Sequence, residues 1–173
     1  LAKIQCFLPK FFRKKVKTAH RNEFIGFMAK INDDYDSPWK DILDAYFPQF
    51  LQFFFPKAYQ GIDWSFEPEF LDKELQQIVR EAKTGRRHAD KLVKVQSLEG
   101  LEIMVIVHIE IQGGRESEFQ ERMYIYNYRF YDRYRKPVVS LALLTDQETT
   151  WRPQEFGYEK WGCRVNLQFP MVK

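Results

Sequence analysis

The chain has 173 residues, 29% of them charged and 17% aromatic, with a formal net charge of +3. That length suits one domain with a sizeable core, and 16 Phe and 9 Tyr supply the material for it. Apolar runs such as "MVIV" (104–107) are far too short to cross a bilayer. No signal-peptide stretch opens the sequence. Cys6 and Cys163 lie far apart with no CxxC spacing, which suits reduced thiols in a cytoplasmic protein and argues against a disulfide scaffold.

The charge is unevenly placed. Residues 1–27 carry seven Lys and Arg against one acid, Glu23, which leaves the rest of the chain slightly acidic. Such a segment can serve as a nucleic-acid arm. Because the first Met is Met28, the segment is read instead as a basic extension outside the fold, translated from upstream sequence, with the domain running over 28–173.

Chain order then predicts the elements. "DSPW" (36–39) starts a helix with Pro early in its first turn. Ile42, Leu43, Tyr46 and Phe47 recur at helical spacing, Pro48 kinks or splits the helix, and Pro56 ends it. "GIDWSFEP" (61–68) is a loop. "EFLDKELQQIVREAKTG" (69–85) begins extended and continues as helix or loop, closed by Gly85. Asp90–Gln96 and Leu101–Gln112 form a hairpin, broken by "GGRESEF" (113–119). Phe119, Met123, Tyr126, Phe130 and Tyr134 predict one helix over 116–135, stopped by Pro137. The almost wholly apolar Val138–Leu144 suits a buried parallel strand reached by a helical crossover. "CRVNLQF" (163–169) is a further strand. The order predicts an α/β fold with a mixed β-sheet flanked by helices.

The hairpin raises the question of function. By strand alternation Ile103, Val105, Val107, Ile109 and Ile111 share one face; Met104, Ile106, His108, Glu110 and Gln112 share the other. Both faces begin apolar, so both are expected to be covered, and the polar residues fall where a cleft can open. Asp90, Leu92 and Lys94 share a face of the first strand. A pairing whose residue numbers sum to 198 or 200 sets Asp90 opposite His108 or Glu110. A three-residue loop with Gly100 in its left-handed position gives such an even sum. Two carboxylates brought that close repel unless a cation lies between them. Oxygen ligands suit Mg²⁺. With a two-residue loop the two faces would separate, and Asp90 and Glu110 would be a strand cap and a surface charge.

These residues, Asp at the head of one strand and Glu-x-Gln at the end of the next, resemble the PD-(D/E)XK nuclease pattern. More specifically, the chain resembles the Rpn family of recombination-promoting nucleases, also described as YhgA-like transposases. The resemblance rests on six segments in order: "YDSPWK" (35–40), "FFFP" (53–56), "EFLDKEL" (69–75), "ADKLVKV" (89–95), "HIEIQG" (108–113) and "RMYIYNYR" (122–129). It implies a restriction-endonuclease-like core that cuts DNA with a divalent metal, Mg²⁺ or Mn²⁺. Asp90 and Glu110 would hold the ion, and Gln112 would take the superfamily lysine's place. Gln is usual there in this family, yet it can orient a water without supplying positive charge. Lys94 lies ~13 Å along the strand from Asp90 and is a poor substitute.

A third acid is expected from an earlier element, Glu74 first and Asp36 second. "HIE" also matches the His-x-Glu of zinc deaminases, but the Pro-Cys-x-x-Cys that chemistry needs is absent. DNA contacts are expected from Arg122, Arg129 and Arg133 on one face of the long helix, and from Arg86 and Arg87 before Asp90. Some of these arginines could instead pair with Glu118, Glu121 or Asp132. DNA is thus the implied partner, no membrane association is expected, and a homodimer is left open. Family members continue past "FPMVK" with a largely helical region, so the resemblance leads to the expectation of a C-terminal truncation here. A catalytically silent nuclease-fold domain that binds DNA or another partner is the competing expectation.

Overall fold

A computed structural model describes residues 36–81, 91–110, 118–144 and 148–173. The chain divides into two units at Pro38–Trp39. All described residues except Asp36, Ser37 and Pro38 belong to the second unit.

Helix α1 (Asp36–Phe54) breaks its helical geometry at Tyr46 (φ −137°, ψ 30°), two residues before Pro48. Proline has no N–H for the helix ladder and crowds the preceding turn, so a kink is expected there. Leu43, Phe47, Phe50 and Leu51 make its buried stripe. Pro56 ends α1 and also opens a second, short helix, α2 (Pro56–Gly61). At the first helical position the missing N–H costs nothing. The next segment begins extended as β1 (Glu69–Phe70) and continues as α3 (Asp72–Glu81), with Asp72 and Glu74 in its first turn. Negative charge there complements the helix dipole.

Strands β2 (Lys91–Gln96) and β3 (Glu102–Glu110) pair antiparallel from Lys91↔Val107 to Gln96↔Glu102. Each pair sums to 198, so the register is even. The turn explains it. Ser97 N–H donates to Leu101 O at 2.7 Å, leaving three loop residues, and Gly100 takes φ +79°. Glycine reaches that region without a steric penalty.

Helix α4 (Phe119–Tyr134) ends where Arg135 turns left-handed at φ 50°, shortly before Pro137. It leads into β4 (Val138–Leu144), which lies parallel to β3. The main sheet has the order β1-β2-β3-β4-β7, where β7 (Met171–Val172) adds parallel to β4. Strands β5 (Glu155–Lys160) and β6 (Cys163–Gln168) form a separate two-stranded ribbon. The sequence predicts β6 but not β5, whose "EFGYEK" lacks β-branched residues; pairing with β6 supplies what local preference does not.

The fold is therefore a mixed α/β sheet with helices on both faces. Val93, Val95, Val105, Leu141 and Leu143 pack with α1 on one side. Leu92, Met104 and Ile106 pack with Leu75 and Ile78 of α3 and with Tyr126 and Phe130 of α4 on the other. Phe119, Met123, Ala142, Leu144, Trp151 and Phe169 extend this packing toward the end of the sheet. The alternation of β2 and β3 is the cause: odd positions serve one layer and even positions the other.

Candidate functional site

Asp90, Gln112, Arg86 and Arg87 lie outside the described residues. Glu110 ends β3, opposite Leu144 of β4 in the backbone register. Glu74 is half-buried in the first turn of α3. That helix starts beside the head of β2, where Leu71 N–H donates to Leu92 O at 2.8 Å. Through Leu75 and Ile78 it covers Leu92 of β2 and Met104 and Ile106 of β3. Helix α1, which begins at Asp36, covers the odd face instead.

The head of β2 holds a group that the sequence does not single out. Lys91 is only 2% exposed. Its Nζ donates to Asp44 Oδ1 of α1 and to Asp72 Oδ2 of α3, each at 2.6 Å, and lies 5.4 Å from the centre of the Phe70 ring. An ammonium taken out of water needs counter-charges, and two carboxylates supply them. Three elements are tied together at this point. Asp72 Oδ1 is also buried, and no described residue donates a hydrogen bond to it. Alternation places Lys91 with Val93 and Val95, and a lysine on so apolar a face is the available signal. Its partners sit 47 and 19 residues away in the chain, beyond the reach of local patterns.

Lys94 is held on the opposite face. Its ammonium lies 2.5 Å from Glu69 and 4.0 Å from Glu102, and Glu102 also meets Lys136 at 2.9 Å. The hydrogen bond to Glu69 holds the Lys94 ammonium above the usual lysine range. The Lys136 hydrogen bond holds Glu102 below the usual carboxylate range. These alternating charges form a rung across β1, β2 and β3, so Lys94 is not a spare cation for chemistry.

The helix arginines separate by depth. Arg122 is 5% exposed, with its guanidinium 5.4 Å from the centre of the Phe119 ring. Arg122, expected among the DNA contacts, lies at the N-terminal end of α4, where Phe119 and Met123 are buried as well. Arg129 is partly exposed and Arg133 exposed, the latter donating to Gln77 Oε1 at 3.1 Å. Arg135, the residue that caps α4, pairs with Asp132 at 2.7 Å.

Among the described residues no group of three or more His, Cys, Asp or Glu is arranged to hold a metal, and no described helix is long and apolar enough to cross a membrane. In comparisons with known proteins, no family model, curated protein or solved structure matches the chain.

Proposed function

We propose that the domain is a Mg²⁺-dependent DNA endonuclease acting in recombination or transposition, with its site at Asp90, Glu110 and Gln112. The observation that supports this most is the even register of β2 and β3, fixed by the Gly100 loop. An odd register would have put the even positions of the two strands on opposite faces. With an even one, a carboxylate at an even position on one strand can cooperate with a carboxylate at an even position on the other. The described sheet is mixed and covered on both sides, as a restriction-endonuclease-like core requires.

In this proposal Asp90 and Glu110 hold the metal, and Glu74 completes the acidic set from the helix on the same side of the sheet. A bound Mg²⁺ or Mn²⁺ would supply an activated water and charge neutralisation for the phosphate. Gln112 would orient a water by hydrogen bonding. Arg129 and Arg133 hold the DNA backbone without selecting sequence.

One observation favours a second function, a silent nuclease-fold domain that binds DNA. Gln112 brings no positive charge, and both lysines of β2 are already neutralised, Lys91 by Asp44 and Asp72 and Lys94 by Glu69 and Glu102. Calorimetric titration with Mn²⁺ separates the two. A metal-dependent enzyme binds Mn²⁺ and loses that binding in Asp90→Ala and Glu110→Ala, while Asp44→Ala retains it. Absence of Mn²⁺ binding in the wild type leaves the silent domain.

A further inference from the structure

Trp161 is the most exposed large apolar residue described, at 96%. It stands at the tip of the β5–β6 ribbon, where Lys160 pairs with Cys163 and only Trp161 and Gly162 make the turn. Both turn residues have positive φ, 52° and 81°. A two-residue turn of this kind favours Asn-Gly, and a bulky side chain with positive φ is an outlier. Neither backbone preference nor burial accounts for Trp at this position. An outlier of that kind, with its ring in solvent, points to a role outside the fold.

The ring has company. By register, Phe156, Tyr158 and Lys160 share a ribbon face with Cys163, Val165 and Leu167. At the near end this face packs on α4, where Tyr124 stacks on Phe156 (5.1 Å, 22°) and on Tyr128 (6.4 Å, 20°). Phe156 meets Tyr158 edge-on at 6.3 Å. Burial, with Tyr158 and Tyr128 as neighbours, holds the Tyr124 hydroxyl above its ordinary range. At the far end the face is uncovered: Tyr128 and Tyr158 are about half exposed, and Trp161 lies beyond them.

Charge is sorted between the two faces. The ribbon's carboxylates, Glu155 and Glu159, fall on the reverse face, where Glu159 is paired with Arg164. The aromatic face carries Lys160, whose ammonium lies 5.9 Å from the Trp161 ring. On α4, Arg129 follows Tyr128 and forms no ion pair with a described residue, Asp132 is neutralised by Arg135, and Glu121 lies about two turns before Tyr128.

We propose that Tyr128, Tyr158 and Trp161, with Lys160 and Arg129, form a stacking platform for unpaired bases of single-stranded nucleic acid. Exposed π-faces beside cations, with the carboxylates turned away or neutralised, match stacked bases on a polyanionic backbone. An aliphatic protein partner would not call for rings, and a second copy of this chain would bring like charge to like charge. The platform includes none of the residues proposed for the metal site, so it is tested in EDTA, where failure of the endonuclease proposal has no effect on the result.

The test is fluorescence anisotropy of a labelled oligo-dT strand with the full chain, compared with a duplex of equal length. The decisive variant is Trp161→Asn, because Asn-Gly suits the turn and should raise thermal stability slightly. The expected result is oligo-dT binding that weakens about tenfold in Trp161→Asn, weakens further when Tyr158→Ala is added, and leaves duplex affinity unchanged. Absence of oligo-dT binding by the wild type, or equal binding by wild type and Trp161→Asn, overturns the proposal. So does a concentration-dependent dimer, seen by sedimentation, that Trp161→Asn abolishes, which would give the face to a second copy.

Discussion

Lys91 Nζ and Asp72 Oδ2 lie 2.6 Å apart at the head of β2, and the exposure of the pair is strongly unequal: the lysine side chain is 3% exposed and the aspartate 44%. Asp44, the second partner, is 49% exposed. Removing the lysine therefore leaves two carboxylates on side chains that are about half exposed. Removing both carboxylates leaves a buried charge with neither of its partners. Asp44→Ala combined with Asp72→Ala should cost about 3–5 kcal/mol in urea unfolding, and Lys91→Met clearly less. A Lys91→Met loss equal to that of the double variant would show that burial of the ammonium is not the dominant cost.

The turn that sets the register gives a second expectation. A Cβ on Gly100 meets no atom within 4 Å, so a substitution there is opposed only by its positive φ. Gly100→Ala should cost about 1–2 kcal/mol, and Gly100→Asn less, since Asn tolerates the left-handed region. Equal losses from both, measured by thermal unfolding, would mean that contacts rather than backbone conformation decide this position.

The charge rung across β1–β3 responds to pH in two directions. Glu102 is depressed in the folded chain, so its contribution is present above its unfolded value and fades as pH falls through the folded one. Lys94 is raised, so its contribution is complete below the ordinary lysine value and fades as pH climbs through the folded one. In a carboxyl NMR titration Glu102 should titrate below 4.5, and in Lys136→Ala it should move back toward that value. A Glu102 that is unmoved by Lys136→Ala would remove the hydrogen bond as the cause.

The arginines of α4 should part company. Arg133→Ala and Arg129→Ala are expected to weaken duplex DNA binding and to lower the salt dependence by about one counterion each, a slope change of ~0.9. Arg122→Met should leave that slope unchanged and act on stability, because the side chain is buried against Phe119. A salt slope that falls in Arg122→Met would return this residue to the DNA surface.

Long periodic segments were legible from the sequence. The aromatic spacing of α4 and the apolar run of β4 each point to one structure, and the loop around Gly100 leads to the even register. Short elements were not: α2 has six residues, too few for a period, and Pro56 reads as a stop although it also opens a helix. Strand β5 exists through its partner strand and through Tyr124, neither of which is local. The charges behaved likewise. Spacing puts Arg122 on the face of Arg129 and Arg133 but says nothing of how deep that end of the helix lies. Lys91 is hidden among valines, with its counter-charges on two distant helices.

The most direct measurement is nicking of supercoiled plasmid by the full chain in Mg²⁺, in Mn²⁺ and in EDTA, with Asp90→Ala in parallel. The expected result is metal-dependent nicking by the wild type, none in EDTA, and loss in Asp90→Ala with DNA binding retained. Gln112→Lys, which adds the missing cation, should raise the rate by ~10²-fold. Undiminished nicking by Asp90→Ala would contradict the proposed site, and wild-type DNA binding without nicking under either metal would contradict the proposed enzyme.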